Sequence, residues 1–173
     1  MKRAGLYLFI LLQTLILLGL AGSAYATNWF GQEIKLRTVP VDPRDIFYGD
    51  YVTLSYSMSR LDASLWQGTG GLPESGDPVY TRLVSKGEFY EPAVAYPERV
   101  DVDSGEILLK GRVLYAWERE INVTYGLERY YVPENTGKEL EDISDRLIVH
   151  VKVAPWGQHQ IVGVDMLELD ENQ

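Results

Sequence analysis

The chain has 173 residues, no cysteine and a formal net charge of −9. Without cysteine it holds no disulfide, no thiolate metal site, no cysteine nucleophile and no lipid-modified N-terminal cysteine. The acidic excess falls beyond residue 26, because Lys2 and Arg3 are the only charges before that point, and a domain so charged repels nucleic acid and anionic head groups.

MKRAGLYLFILLQTLILLGLAGSAYA opens the chain, and Ala4 to Ala26 carries no charge. As a helix this run reaches about 34 Å, enough to cross a hydrocarbon core of about 30 Å. Ala24-Tyr25-Ala26 also fits a signal-peptide cleavage pattern. The apolar run from Leu6 to Leu20, however, already fills the ~15 residues at the upper end of a signal-peptide core and then continues. The expectation is an uncleaved anchor over 1–26. Lys2 and Arg3 stay inside, and residues 27–173 form one domain outside the cytoplasm.

A linker is expected from residue 27. EIKLRTV then alternates, with Ile34 and Leu36 on one face. VDPRD (41–45) reads as a turn, in which Asp42 accepts backbone bonds, Pro43 sets φ and Asp45 caps the next segment. GDYVTLSYSM enters a strand through Gly49-Asp50 and puts Val52, Leu54 and Tyr56 on one face. Residues 67–78 form a glycine-rich loop, read as a hairpin tip. VYTRLVS is a strand, KGE (86–88) a turn, and FYEPAVAYPERV an irregular, proline-broken edge segment. DVDSGE (101–106) is a turn. EILLKGRVLYAWE predicts a strand with Ile107, Leu109, Val113, Tyr115 and Trp117 on one face. It pairs with INVTYGL, where Ile121, Val123, Tyr125 and Leu127 align. Thr136 and Glu139 form a capping box for one short helix over 136–146. Residues 147–169 read as a hairpin turning at 155–158. The fold class is therefore mainly β: an antiparallel sandwich or open barrel with one short helix, behind an N-terminal transmembrane helix.

Constellations that carry chemistry are weak. His150 and His159 are expected to share a strand face about 13 Å apart, too far for one ion. DVDSGE lacks the later acidic ligands of a calcium loop. The GTGG run (68–71) lacks the Lys-Ser/Thr of a phosphate loop, and no G-x-S-x-G occurs. No catalytic residue, metal ligand or cofactor is assigned. The densest cluster is VDPRDIFYGDYVTLSY, where Arg44 can fork onto a carboxylate and Asp50 can bond backbone amides beside Gly49.

GDYVTLSY resembles the defining string of the GDYXXLXY family at Gly49, Asp50, Tyr51, Leu54 and Tyr56. That family is a largely bacterial group of membrane-anchored proteins of unassigned activity. GQE (31–33), VDPRD (41–45), LKGRV (109–113), YGLERYYVPE (125–134) and GKELE (137–141) are similar to its pattern in the same order. The resemblance implies an N-terminal anchor and an outward β-rich domain, often encoded beside a multispan membrane protein. It adds Glu128, Arg129 and Tyr130 to the interaction candidates Asp42, Arg44, Asp45, Gly49, Asp50, Tyr51, Leu54 and Tyr56. The corner at 42–50 and the segment 125–134 are expected to meet, with Arg44 or Arg129 bridging Asp45, Asp50 or Glu128.

The functional expectation is a single-pass, membrane-tethered extracytoplasmic accessory protein acting through a multispan membrane partner, without nucleic acid and with no catalysis assigned to it. Two alternatives stand beside it. One is an envelope hydrolase or ligand-processing enzyme, which needs a cleft with a displaced titratable pair. The other is a solute- or cation-binding module, which the negative charge favours.

Overall fold

The computed structural model describes residues 2–40, 51–131 and 146–167. The corner at 41–50 and the helix expected over 136–146, apart from Arg146, lie outside the described residues.

Helix α1 spans Lys2–Phe30. Among the described residues ten strands come after it: β1 Gln32–Arg37, β2 Tyr51–Thr53, β3 Arg60–Asp62, β4 Pro78–Lys86, β5 Phe89–Tyr96, β6 Ile107–Trp117, β7 Glu120–Thr124, β8 Arg129–Tyr131, β9 Leu147–Val153 and β10 His159–Met166. Every paired strand is antiparallel to its neighbour, so the mainly-β, antiparallel expectation holds. The strands form three sheets, ordered β1-β9-β10, β2-β8 and β3-β7-β6-β4-β5.

The five-stranded sheet curls toward closure. Just after β3, Trp66 bridges Ala95 of β5, and the Gln67 amide donates to the Ala95 carbonyl at 2.9 Å. The two edges of the sheet therefore meet. β1 lies beside the start of β5: Lys35 pairs with Glu88, the Arg37 guanidinium sits 4.7 Å above the Phe89 ring, and Gln32 Nε2 donates to the Tyr90 hydroxyl. One apolar core runs through this barrel-like wall, from Ile34 and Leu36 through Leu83, Leu109 and Ile121 to Val149 and Val151. Period-2 alternation produces much of it, since successive side chains of a strand point to opposite faces; β9, for example, alternates buried and half-buried along its whole length.

Four local expectations need correction. The 67–77 loop is no hairpin tip: it links β3 to β4, which β7 and β6 separate in the sheet. The segment read as irregular is an eight-residue edge strand, β5. The β4–β5 ladder shifts register between Arg82 and Leu83, opposite Pro92, and an edge strand tolerates proline because its outer N–H is not needed. In β6, a shift between Val113 and Tyr115 breaks the predicted face. Ile107, Leu109 and Val113 are buried, whereas Leu114, Tyr115 and Trp117 are 51%, 48% and 74% exposed. The extra residue of a bulge inverts the alternation beyond it.

The fourth correction is the linker. α1 continues past Ala26 to Phe30 and passes into β1 through Gly31 alone. Thr27 Oγ1 donates to the Ser23 carbonyl and the Gly31 amide to the Thr27 carbonyl. Lys152 of β9 then donates to the Asn28 carbonyl at 2.6 Å, a cation serving the orphan acceptors of a helix C-terminus. A Cβ on Gly31 would stand 2.4 Å from the Thr27 oxygen and 3.2 Å from Lys152 Cβ. Gly31→Ala is therefore expected to destabilise the junction by about 1–3 kcal/mol through overpacking. A melting temperature equal to the parent's in detergent would contradict this.

Candidate functional site

The two sequence motifs meet as strands. Tyr51 pairs with Tyr131, Val52 with Tyr130 and Thr53 with Arg129. The contact continues beyond the strands: the Leu54 amide donates to the Glu128 carbonyl at 2.8 Å, and the Tyr56 hydroxyl donates to the Leu127 carbonyl at 2.8 Å. Val52, Leu54, Tyr56 and Met58 are all buried, so the L-x-Y spacing of the motif is a period-2 inward face, as expected. Tyr56 also bridges Thr38 just past β1, and the Val39 amide donates to the Ser55 carbonyl. Thr38 Oγ1 donates to the Leu147 carbonyl and accepts from the Leu147 amide. The motif is thus a junction that joins the end of β1, the β2–β8 ribbon and the start of β9.

The second motif supplies the other half. Gly126 has φ +79°, a left-handed turn that glycine adopts without steric cost. The Glu128 carboxylate clamps that turn by accepting from the Tyr125 and Gly126 amides at 2.6 and 2.9 Å. Leu127 is buried, Tyr130 packs against the core, and Tyr131 is 72% exposed. Burial pushes the Tyr56 phenol far above its usual range, with the Glu128 charge adding to the effect. It therefore stays a neutral donor at any physiological pH.

Among the candidate residues, the structure brings together Tyr51, Leu54, Tyr56, Glu128, Arg129 and Tyr130. Asp42, Arg44, Asp45, Gly49 and Asp50 lie outside the described residues, and so do the ion pairs expected of them.

The histidines do not share a face. His159 stands opposite the inward Val153, while His150 stands opposite Gly163 beyond a register shift between Ile161 and Gly163. His159 Nε2 donates to the Tyr125 carbonyl at 2.7 Å. His150, on the outer face, has Nδ1 2.8 Å from Glu33 Oε1 and Nε2 3.0 Å from Asp165 Oδ2. Only the doubly protonated ring donates to both. Spacing could not reveal this cluster, because its members come from β1, β9 and β10. Among the described residues, no group of three or more His, Cys, Asp or Glu could hold a metal ion.

The hydrogen bond from His150 holds the exposed Glu33 carboxyl below its ordinary range. A lowered folded-state pKa adds stability above the unfolded value, and that stability is lost as pH falls through the folded one. His150→Ala is expected to return Glu33 toward ordinary titration, seen as a rise in the midpoint of its carboxyl ¹³C shift. An unchanged midpoint would show that the contact does not form in solution.

A well-formed cavity lies away from the β2–β8 ribbon. It is a groove of about 580 Å³ between the end of α1, the 99–106 segment and the β9–β10 turn, lined by Phe30, Tyr80, Arg99, Glu106, Lys110 and Trp156. Arg99 fastens two of these walls by donating to the Pro155 and Trp156 carbonyls at 2.7 and 3.1 Å. The sequence showed these segments only as a linker, the end of an edge segment and two turns.

An apolar N-terminal helix fused to an antiparallel, barrel-like domain, with two motifs paired as one ribbon, defines a class of helix-fused β proteins. Within that class the chain belongs to the GDYXXLXY family, whose model matches residues 13–164. No curated protein and no solved structure matches it.

Proposed function

We propose that this protein is a membrane-tethered extracytoplasmic accessory protein that binds a multispan membrane partner through the surface of the β2–β8 ribbon. The observation that carries this reading is how the motif uses its side chains. Leu54, Tyr56 and Leu127 are buried in the junction, and the Glu128 carboxylate is committed to two amides. Among the described side chains, the ribbon exposes Thr53, Arg129 and Tyr131, and Arg and Tyr are residue types enriched among interface anchors. The groove between the end of α1 and the β9–β10 turn is lined by segments other than the β2–β8 ribbon.

The tether is supported by α1. Within Gly5–Phe30 the most apolar 18-residue stretch has a mean hydropathy of 2.1, and none of it is covered by protein. A helix apolar all round requires lipid or a protein core. Its direct fusion to β1 supports an anchor that stays in place.

The test uses full-length protein carrying a photo-crosslinking residue at Tyr131 in its native membrane, with a second version labelled at Glu74 in the 67–77 loop. The expected result is one discrete membrane-protein adduct from Tyr131, absent from Glu74 and lost with Arg44→Ala or Asp50→Ala in a folded domain. Equal or absent adducts from both sites would overturn the reading.

A further inference from the structure

We propose that the domain rests on the outer leaflet, with the β9–β10 turn and its Trp156 seated in the headgroup layer, so that the bilayer surface covers the end of the domain bearing the groove. This rests on the reading of α1 as a span.

The argument begins with direction. β1 leaves α1 through a single residue, and β9 runs antiparallel to it, with Val153 opposite Gln32. β9 therefore ends beside the base of the helix, where Lys152 Nζ reaches the Asn28 carbonyl. The chain continues beyond Val153 in the same direction, back along α1, before the Ala154 amide and the Gln158 carbonyl close the turn. Trp156, at the tip of that turn, therefore stands on the α1 side of Gln32. Phe30 and Trp156 accordingly line the same groove.

Length places those turns at the interface. About 20 helical residues cross a hydrocarbon core, so a span beginning at Gly5 leaves Tyr25–Phe30 at headgroup depth. Tyr25, Trp29 and Phe30 are 71%, 82% and 68% exposed, and Trp156 is 46% exposed. Three of these four are Trp or Tyr, which concentrate at the membrane–water boundary because an apolar ring and a polar edge suit that layer. The junction holds the turn at this depth, since α1 enters β1 without a linker and Arg99 ties the turn to the 99–106 segment. The net charge of −9 makes aromatic insertion, rather than attraction to anionic lipid, the source of the contact.

The absence of cysteine permits single nitroxide labels on the full chain. Trp29→Cys, Trp156→Cys and Glu118→Cys are labelled and reconstituted in phosphatidylcholine vesicles, and collisions with a water-soluble nickel chelate are compared with those of oxygen. Glu118 lies just past the far end of β6, roughly 33 Å of strand from Ile107, and serves as the aqueous reference. The expected result is several-fold protection from nickel at both Trp29 and Trp156 relative to Glu118. Gln158→Cys, which leaves the indole in place, is expected to show the same protection and guards against a turn disturbed by loss of Trp156. Protection at Trp29 with full nickel access at both Trp156 and Gln158 overturns the docking and leaves the anchor standing. Full access at Trp29 removes the span, and the docking with it.

Discussion

Tyr56→Phe is expected to lower the stability of the domain by about 1–3 kcal/mol, the cost of leaving a buried acceptor without its donor. The Tyr56 ring is 1% exposed and its hydroxyl donates to the Leu127 carbonyl, so phenylalanine keeps the packing and strands that oxygen. Tyr56→Ala removes the ring as well, for a loss of about 3–5 kcal/mol by comparison with other aromatic truncations. Against a total of about 5–15 kcal/mol for a domain, the alanine variant stands near the threshold of folding. Circular dichroism of full-length protein in detergent, through heat and denaturant, measures both. A phenylalanine variant within experimental error of the parent would mean that the last tyrosine of the motif matters for packing alone. The phenylalanine variant also separates structure from docking: if it folds, crosslinking from Tyr131 is expected to survive.

Where the sequence was legible, it was so through period 2. Ile34 and Leu36, Val52 through Tyr56, and Ile121 through Leu127 were assigned to an inward face by alternation alone, and the inward members of each run are buried. The same rule failed at Tyr115 and Trp117, because a bulge leaves no mark in the pattern until the partner strand is known. It failed again at His159, whose side is set by the turn and by a register shift in β10. The junction at Gly31 was hidden for another reason. Thr27 and Asn28 look like the start of a polar linker, yet their carbonyls are met by the Gly31 amide and by Lys152, a residue distant in sequence. The candidate site was legible as two motifs, and their pairing as β2 and β8 needed the third dimension. The Glu33–His150–Asp165 cluster and the groove had no sequence signature, since both are assembled from separate strands and turns whose residues are ordinary one by one.

Tyr125→Phe is expected to cost about 2–5 kcal/mol, because it strands two buried groups at once. The Tyr125 hydroxyl has one proton. It donates to the Met58 carbonyl at 3.1 Å, so the 2.7 Å contact with Thr81 Oγ1 has the threonine as donor. Burial raises the Tyr125 phenol well above its ordinary range, a shift that the Thr81 bond opposes only in part, and keeps that proton in place. Thr81→Val removes a donor but leaves the Tyr125–Met58 bond, and is expected to cost about 0.5–1.5 kcal/mol. The double variant should lose less than the two single losses together, by about 0.5–3 kcal/mol, because valine removes the hydroxyl that phenylalanine would strand. Additivity within about 0.3–0.5 kcal/mol would mean that the triangle does not act as a unit. The triangle joins β4, the turn at Ser57–Ser59 and the segment that leads from β7 to Glu128 and β8. A coupling of the expected size would therefore make Tyr125 the link that fixes the motif ribbon to the barrel, and would make the orientation of Tyr131 a property of the core rather than of the ribbon alone.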